Sequence, residues 1–209
     1  MIGIHIYGVH PRMANMQENA AKLPGAHIHI DDLYGKDHGC YPSLYTCRKA
    51  FLAPLEEGET HWLVLQDDVE LCDNFFEILQ RIVKAHPDEI LGLFPYNYLK
   101  RGPILDSLPT PYIRSQFISG QAIVVPVWFI PLWDRWVRSA HPKGDIPDDT
   151  SIRLAAEGHK IRWLTTIPST VQHIGDDSIL NASMEPRRTE YYSKNPQADW
   201  ENPNVAPIP

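Results

Sequence analysis

The sequence lacks the long apolar run that a membrane-spanning helix needs. No stretch of its 209 residues approaches the length of about 18 uninterrupted apolar residues that is typical of such a helix. The segment from Met1 to Val9 has no basic region and no small-residue cleavage site, so it does not resemble a signal peptide. We therefore expect a chain without a transmembrane segment that works in the cytoplasm, either of a bacterium or, if the source is viral, of its host.

Several common sequence signatures are also missing. Cysteine is scarce, and the odd number of cysteines at 40, 47 and 72 is typical of buried free thiols in a reducing compartment. The sequence contains neither the GxGxxG pattern of dinucleotide-binding loops nor the GxxxxGK[ST] pattern of P-loops. These two classes of nucleotide-binding protein therefore have no support in the sequence.

An excess of positive charge is the last feature that is missing. The 19 Lys and Arg residues stand against 26 Asp and Glu, which gives a formal net charge of -7. This balance argues against a surface built for polyanions, although it leaves room for a local basic groove. It suits a protein that binds phosphate through a metal ion. The composition is otherwise that of an ordinary globular protein, with 43% hydrophobic and 22% charged residues.

Strand-like and helix-like patterns alternate through the first 95 residues. The patterns predict strands at 2–9, 26–30, 61–65 and 90–95, with helices at 13–23, 43–55 and 74–86 between them. Such alternation predicts an α/β fold, in which helices flank a mostly parallel central sheet of the Rossmann-like kind. Ligands of these sheets bind at the carboxyl ends of the strands.

The second half of the chain is less regular. It predicts a proline-rich loop at 100–111, strands at 112–118 and 161–167, an apolar run at 122–126, and helices at 127–139 and 148–157. From residue 184 the chain is polar and rich in proline, so we expect an extended tail over 184–209. The length of the remainder, 1–183, suits a single domain.

The strongest candidate for chemistry is the acidic sequence that follows the apolar run at 61–65. Asp67 and Asp68 come directly after this predicted buried strand, where two adjacent carboxylates are costly unless a cation compensates them. Mg²⁺ or Mn²⁺ prefers oxygen ligands and commonly takes one or two carboxylates together with substrate phosphates. The alternative is that both aspartates cap the next segment in solvent.

Two segments of the sequence resemble one enzyme family. The segment 61–70, HWLVLQDDVE, resembles the strand and DxD-type motif of GT-A glycosyltransferases, and most closely the LEDDV form of the lipopolysaccharide glycosyltransferase family, family 25. The segment 39–43, GCYPS, resembles the GC-x-x-S segment that lies at about this distance upstream in that family. The resemblance implies a GT-A fold in which 1–95 bind a nucleotide-sugar and 96–183 form the acceptor and catalytic half.

The resemblance also implies roles for the acidic motif. Asp68 would bind the metal ion that bridges the donor diphosphate, and Asp67 would support the metal or contact the ribose or sugar of the donor. Gln66 stands where the family has Glu or Asp. This difference removes one negative charge and leaves a hydrogen bond from Gln66 to the ribose as an option.

Two later segments agree with the same scheme. The segment 147–158 resembles the late acidic helix of GT-A enzymes, which implies that Asp149, or in second place Asp148, is the general base for the acceptor hydroxyl. The alternative is that one or both aspartates cap that helix. The segment 168–175 resembles the one from which many GT-A enzymes supply a histidine to the metal, so His173 is the second candidate ligand, with a purely structural histidine as the alternative.

Three further residues lie where this fold borders the donor. His10 and Arg12 follow the first predicted strand, and Arg12 is a candidate for pairing with phosphate through its guanidinium group. An exposed arginine at the start of a helix is the alternative. Gly120 precedes an apolar run and would permit a close approach of the backbone to the donor sugar and the acceptor.

The resemblance as a whole implies a metal-dependent glycosyltransferase. It would use Mn²⁺ or Mg²⁺ and transfer a sugar from a nucleotide-sugar, with a UDP-sugar favoured, to a hydroxyl group of a saccharide, with inversion favoured. Three alternatives stay open: a viral-type glycosyltransferase acting on hydroxymethylated bases in modified DNA, a metal-dependent phosphoester hydrolase, and a non-catalytic nucleotide-sugar-binding module. The residues that would form a basic track for DNA are Lys100, Arg101, Arg135, Arg138, Arg187 and Arg188.

Overall fold

The chain folds with helices on both faces of one central sheet. The computed structural model describes residues 1–95, 110–114, 119–174 and 189–206. In chain order the elements are β1 (Ile2–Gly8), a 3-10 turn (His10–Arg12), α1 (Met13–Ala21), β2 (His27–Ile30), α2 (Pro42–Phe51), β3 (His61–Gln66), β4 (Val69–Leu71), α3 (Phe75–Ala85), β5 (Ile90–Gly92), β6 (Tyr112–Arg114), β7 (Ala122–Pro126), a second 3-10 turn (Val127–Phe129), α4 (Ile130–Ala140), α5 (Asp148–Gly158), β8 (Trp163–Thr166) and β9 (Val171–His173).

The central sheet has the strand order β2-β1-β3-β7-β5-β8-β6 in the described part of the chain. The strands β2, β1 and β3 are parallel to one another, and β8 is parallel to β5. The strands β7 and β6 run against their neighbours, so five of these seven strands share one direction. The prediction of an α/β fold with a mostly parallel sheet flanked by helices is therefore confirmed.

Two hydrophobic cores hold the helices against the sheet. Every residue from His61 to Leu65 of β3 is buried, as expected for a continuous apolar strand that is covered on both faces. One core joins the sheet to α1 and α3 and includes Ile4, Ile6, Met16, Leu63, Leu79 and Ile82. The other core joins the sheet to α2, α4 and α5 and includes Leu44, Val64, Trp133, Ile152 and Ala155. No helix within the described ranges is long and apolar enough to span a bilayer.

Strand pairing in the second half adds two features that the sequence patterns did not reveal. The strand β7 lies antiparallel between β3 and β5, so one sheet runs through both predicted halves of the domain. The short strands β4 and β9 form a separate antiparallel ladder in which Val69 is opposite His173. This ladder brings His173 next to the acidic motif. Of the strand predicted at 112–118, Tyr112–Arg114 form β6, and 115–118 lie outside the described residues.

The described part of the predicted tail packs on the body of the protein. Trp200 is only 2% exposed and belongs to the first core. The hydroxyl of Tyr112 donates to the carbonyl oxygen of Trp200 at 2.5 Å, and the N–H of Ala206 donates to the carbonyl of Tyr112 at 2.9 Å. The described segment 189–206 contains turns at 190–191 and 200–201 and contributes a large side chain to the core. Most of the predicted loop at 100–111, together with 184–188 and 207–209, lies outside the described residues.

Candidate functional site

The acidic motif lies at a reversal of strand order in the sheet. The chain passes from β1 to β2 on one side and then crosses to β3 on the other side, so the order reverses between β1 and β3. Ligands of open α/β sheets bind in the crevice at such a point, beyond the carboxyl ends of the strands. Hydrogen bonds join these ends, because the N–H of Asp31 donates to the carbonyl of Gly8 and the N–H of Val9 donates to Asp67 Oδ2, both at 2.8 Å.

Asp67 is held tightly at the end of β3. It is 6% exposed, and its Oδ1 accepts a hydrogen bond from Arg12 Nη1 at 3.0 Å. The amide of Asn15 donates to the Asp67 carbonyl at 2.6 Å. A Cβ at Gly8 would lie 2.2 Å from Asp67 Oδ2, so only glycine allows β1 to approach this carboxylate so closely. Asp67 is therefore fixed by both the backbone N–H of Val9, just after β1, and the side chain of Arg12.

Asp68 contacts His173, which lies 105 residues later in the chain. It is 9% exposed, and its Oδ2 lies 3.0 Å from Nε2 of His173 and also contacts Arg12 Nη1. The N–H of Ile174 donates to the Asp68 carbonyl at 2.9 Å. The other carboxylate oxygen of Asp68 and the Nδ1 atom of His173 are buried and have no hydrogen-bond partner among the described residues.

The two aspartates differ in how strongly they hold a negative charge. Burial, together with the charge of Asp68, raises the pKa of Asp67. Burial also opposes ionisation of Asp68, but His173 and Arg12 outweigh it and lower the pKa of Asp68. Burial likewise works against the charged guanidinium, but both aspartates outweigh it and raise the pKa of Arg12. Asp68 is therefore the carboxylate whose ionised form is favoured.

Asp68 and His173 have the donor chemistry of a divalent-cation site. A carboxylate oxygen and an imidazole nitrogen both suit Mn²⁺, and the unpartnered buried oxygen of Asp68 is a ligand atom that such an ion would satisfy. Within the described residues no group of three or more His, Cys, Asp or Glu side chains is arranged to hold a metal. An ion held by Asp68 and His173 alone would have only two protein ligands and would need substrate phosphate and water to complete its shell.

A second acidic cluster lies at the start of α5. Asp148 is 4% exposed, its Oδ2 accepts from the hydroxyl of Tyr7 at 2.5 Å, and its Oδ1 accepts from the hydroxyl of Ser43 at 2.7 Å. The hydroxyl of Tyr7 in turn accepts from Gln66 Nε2 at 3.1 Å. Burial, reinforced by the charge of Asp148, raises the pKa of Tyr7 far above its ordinary value, so the phenol remains a donor. This network connects Gln66, the residue before Asp67, to Asp148 in α5.

Asp149 is the more accessible of the two aspartates at the start of α5. Its Oδ1 accepts from the backbone N–H and the hydroxyl of Thr150, at 2.6 and 3.2 Å. Neither aspartate is the N-cap residue, which is Pro147, although both lie in the first turn, where the helix dipole favours negative charge. A Cβ at Gly120 would lie 3.4 Å from Asp148 Oδ2 and 3.5 Å from the Cβ of Asp149, so Gly120 borders both.

The structure thus brings most of the predicted site residues into two neighbouring clusters. The first cluster consists of Arg12, Asp67, Asp68 and His173, and the second of Gln66, Gly120, Asp148 and Asp149. His10 is exposed at the start of the turn that carries Arg12, and no side-chain hydrogen bond or ion pair among the described residues joins it to either cluster. Of the predicted basic track, Lys100, Arg101, Arg187 and Arg188 lie outside the described residues.

Sequence reasoning missed the role of two residues that hold the second cluster. In the sequence, Tyr7 is only one position of a predicted strand, and Ser43 is only part of the segment 39–43. Their shared partner, Asp148, is 141 residues from Tyr7 and 105 from Ser43 along the chain. A polar hydroxyl at the carboxyl end of a buried strand is the one signal in the sequence that points to Tyr7.

Comparison with known proteins adds a likeness of shape only. No family model matches the chain, and no curated protein matches it either. Among solved structures, the chain is similar to A197 from STIV, with 12% sequence identity over 91% of this chain and 97% of that chain and a TM-score of 0.45. A likeness at this level carries no argument about activity, and the fold assignment rests on the strand order and pairing described above.

Proposed function

We propose that the chain is a GT-A-type glycosyltransferase that transfers a sugar from a nucleotide-sugar to a hydroxyl acceptor. The observation that carries this proposal is that two acidic clusters lie side by side at the reversal of strand order. The first cluster includes a histidine and an arginine, and the second is partly open to solvent. Inverting transfer of a sugar needs one group of residues for the diphosphate of the donor and a separate base for the acceptor. The two clusters are our candidates for these two roles.

The first cluster is the proposed binding site for the donor. Asp68 and His173 are the side chains that would hold Mn²⁺ or Mg²⁺, and such an ion offsets the negative charge that builds on a leaving diphosphate. Asp67 would support this site from its fixed position beside Val9. Gln66 lies next to it on β3 and can offer its amide to the ribose. A UDP-sugar is the favoured donor, on the resemblance of 61–70 to family 25.

The second cluster is the proposed site of proton transfer. Asp149 is partly exposed and borders Gly120, so its carboxylate is placed to accept the proton of an acceptor hydroxyl. Asp148 is buried and accepts hydrogen bonds from both Tyr7 and Ser43, so we assign it a positioning role. A base on the acceptor side favours direct displacement with inversion. A saccharide is the favoured acceptor.

The alternative functions lack a specific observation in their favour. A phosphoester hydrolase that works through metal ions commonly needs a larger set of ligands, and the described residues contain no group of three or more. A DNA-modifying enzyme is expected to have a basic surface, whereas the net charge of this chain is -7. A binding module without catalysis would keep Asp149 for its place in the first turn of α5, and turnover distinguishes such a module from the enzyme.

Acceptor-dependent turnover tests the proposal. The protein with Mn²⁺ and a panel of radiolabelled nucleotide-sugars should form labelled product only when a mixture of saccharide acceptors is present. Asp149→Asn should lower this transfer by about 10²–10⁴-fold, the usual contribution of a general base, without loss of donor binding. Asp145→Asn is the matched control, because Asp145 is an exposed aspartate just before α5 whose partner is His141 at 3.1 Å.

The outcomes separate the proposed activity from its rivals. Release of sugar phosphate and nucleoside monophosphate, at the same rate with and without acceptor, would favour a phosphoester hydrolase, because such an enzyme cleaves the diphosphate. A transferase that leaks to water releases free sugar instead. Full transfer by Asp149→Asn would remove Asp149 as the base. Donor binding without any product in every acceptor mixture would favour the binding module.

A further inference from the structure

Arg12 lies where the two buried carboxylates of the donor cluster need a positive charge. Its Nη1 donates to Asp67 Oδ1 at 3.0 Å and also contacts Asp68 Oδ2. The side chain of Arg12 is 20% exposed, while those of Asp67 and Asp68 are 9% and 11% exposed. Adjacent buried carboxylates are strongly destabilising without a counter-charge. Within the described part of the chain, Arg12 is therefore a counter-ion of this pair.

The same guanidinium competes with any other cation for this pair. Asp67, Asp68 and Arg12 together carry a net charge of about -1 when both carboxylates are ionised. A divalent cation on Asp68 and His173 would change the sign of this local charge and would place a second positive charge within a few ångströms of the guanidinium. Like charges at this separation repel strongly in a partly buried site. Arg12 and a divalent cation thus favour different arrangements of the cluster.

Arg12 also has a second potential partner, a phosphate group bound in the crevice. It ends the 3-10 turn that follows β1, on the same side of the sheet as the acidic motif, and its side chain is the partly exposed member of the cluster. A guanidinium group is planar, always charged and able to give two parallel hydrogen bonds to a phosphate. Because a diphosphate that arrives with the cation brings negative charge to this crevice, the side chain would exchange one anionic partner for another.

We propose that Arg12 is an exchangeable counter-ion. It neutralises Asp67 and Asp68 when the donor is absent, and it moves to the donor phosphates when a divalent cation binds at Asp68 and His173. This inference rests on the donor site of the proposed function, but it does not depend on sugar transfer.

Removal of Arg12 therefore has two effects of opposite sign. Without the guanidinium, Asp68 has lost a competitor for Mn²⁺ and should bind the free ion more tightly. The diphosphate has lost a ligand and should bind more weakly even when Mn²⁺ is saturating. An arginine that only stabilises the fold would lower both affinities together or leave both unchanged.

The experiment compares Arg12→Met and Arg12→Lys with the wild-type protein. Free Mn²⁺ is titrated by electron paramagnetic resonance, and inorganic diphosphate is titrated by calorimetry in saturating Mn²⁺. Arg12→Met should bind Mn²⁺ about tenfold more tightly and diphosphate about tenfold more weakly, the scale set by one charge in a partly hydrated site. Arg12→Lys keeps the charge without the planar group, so its Mn²⁺ affinity should stay close to that of the wild type while its diphosphate affinity falls.

A second arginine serves as the matched control. Arg48 pairs with Asp134 at 2.9 Å through a side chain that is 32% exposed, and neither residue belongs to the two acidic clusters. Arg48→Met should leave both affinities unchanged. If Arg12→Met does not fold, as judged by circular dichroism, the proposal stands or falls on Arg12→Lys, which must lose diphosphate affinity without losing Mn²⁺ affinity.

The two titrations also separate this inference from the proposed activity. Mn²⁺ binding by Arg12→Met that is no tighter than that of the wild type, including no binding by either protein, overturns the counter-ion role. Unchanged diphosphate affinity overturns the movement to phosphate. Opposite shifts in a protein that forms no glycosyl product would support the exchange of Arg12 and count against the glycosyltransferase.

Discussion

Tyr7 offers a quantitative test of the buried network below the candidate site. Its hydroxyl donates to Asp148 Oδ2 at 2.5 Å and accepts from Gln66 Nε2 at 3.1 Å. Tyr7→Phe keeps the ring in the core and removes only the hydroxyl, which leaves Ser43 as the hydroxyl donor to Asp148 among the described residues. Asp148 is 4% exposed, so water replaces the lost donor poorly.

The size of the effect follows from the burial of this carboxylate. Removal of one partner from a buried hydrogen bond to a charged group costs about 1.5–3 kcal/mol of unfolding free energy. In a protein of this size each kcal/mol lowers the melting temperature by about 2–4 °C, so Tyr7→Phe should lower it by about 3–12 °C. Urea denaturation should give the same loss of unfolding free energy, with an unchanged dependence on urea concentration.

Tyr45 provides the matched control for this prediction. Its hydroxyl also donates to an aspartate, Asp32 Oδ1, at 2.9 Å, but the side chain of Asp32 is 64% exposed. Tyr45→Phe should therefore leave the melting temperature unchanged within error, because water can take the place of the hydroxyl. Equal losses for the two variants, or no loss for Tyr7→Phe, would refute the argument that the burial of Asp148 makes its hydrogen bonds costly to remove.

Two further perturbations test other parts of the account. Burial and the nearby His29 and His27 lower the pKa of His5 from 6.5 to about 3, so the stability that His5 contributes is complete above its unfolded pKa and is lost as the pH falls from 6.5 towards 3. The free energy of unfolding, measured with urea, should be lower at pH 5 than at pH 7 by about 2 kcal/mol because of His5. A His5→Gln variant whose free energy of unfolding falls by the same amount would contradict this. Trp200→Ala should lower the free energy of unfolding by about 3–5 kcal/mol in the same assay, because it leaves a cavity in the first core. A change near zero would show that 189–206 do not pack as described.

The first half of the fold was predictable because its patterns are local. The apolar run at 61–65 is continuous, and a strand with this pattern is buried on both faces of a sheet, as β3 is. A polar motif directly after such a strand must lie at its carboxyl end. The position of Asp67 and Asp68 at the edge of the sheet therefore followed from neighbouring residues alone.

The second half depends on pairings between distant residues. The direction of β7 is set by its partners β3 and β5, and an apolar run of five residues carries no signal for direction. The strands β4 and β9 have three residues each, which is too short to show periodicity, although they are what places His173 at Asp68. The hydrogen bond from Tyr7 to Asp148 is likewise decided by packing of α5 against the sheet, which no local pattern encodes.

Calorimetric titration of the protein with UDP-, GDP-, CMP- and dTDP-sugars, with and without Mn²⁺, tests whether the first cluster binds a donor. We expect one nucleotide-sugar to bind in a Mn²⁺-dependent way and Asp68→Asn to weaken this binding by about tenfold or more, as expected when a ligand loses its charge. Asp73→Asn, at an exposed aspartate close in sequence, should bind as the wild type does. No binding of any nucleotide-sugar by the folded protein, or undiminished binding by Asp68→Asn, would contradict the assignment of this cluster as a donor site.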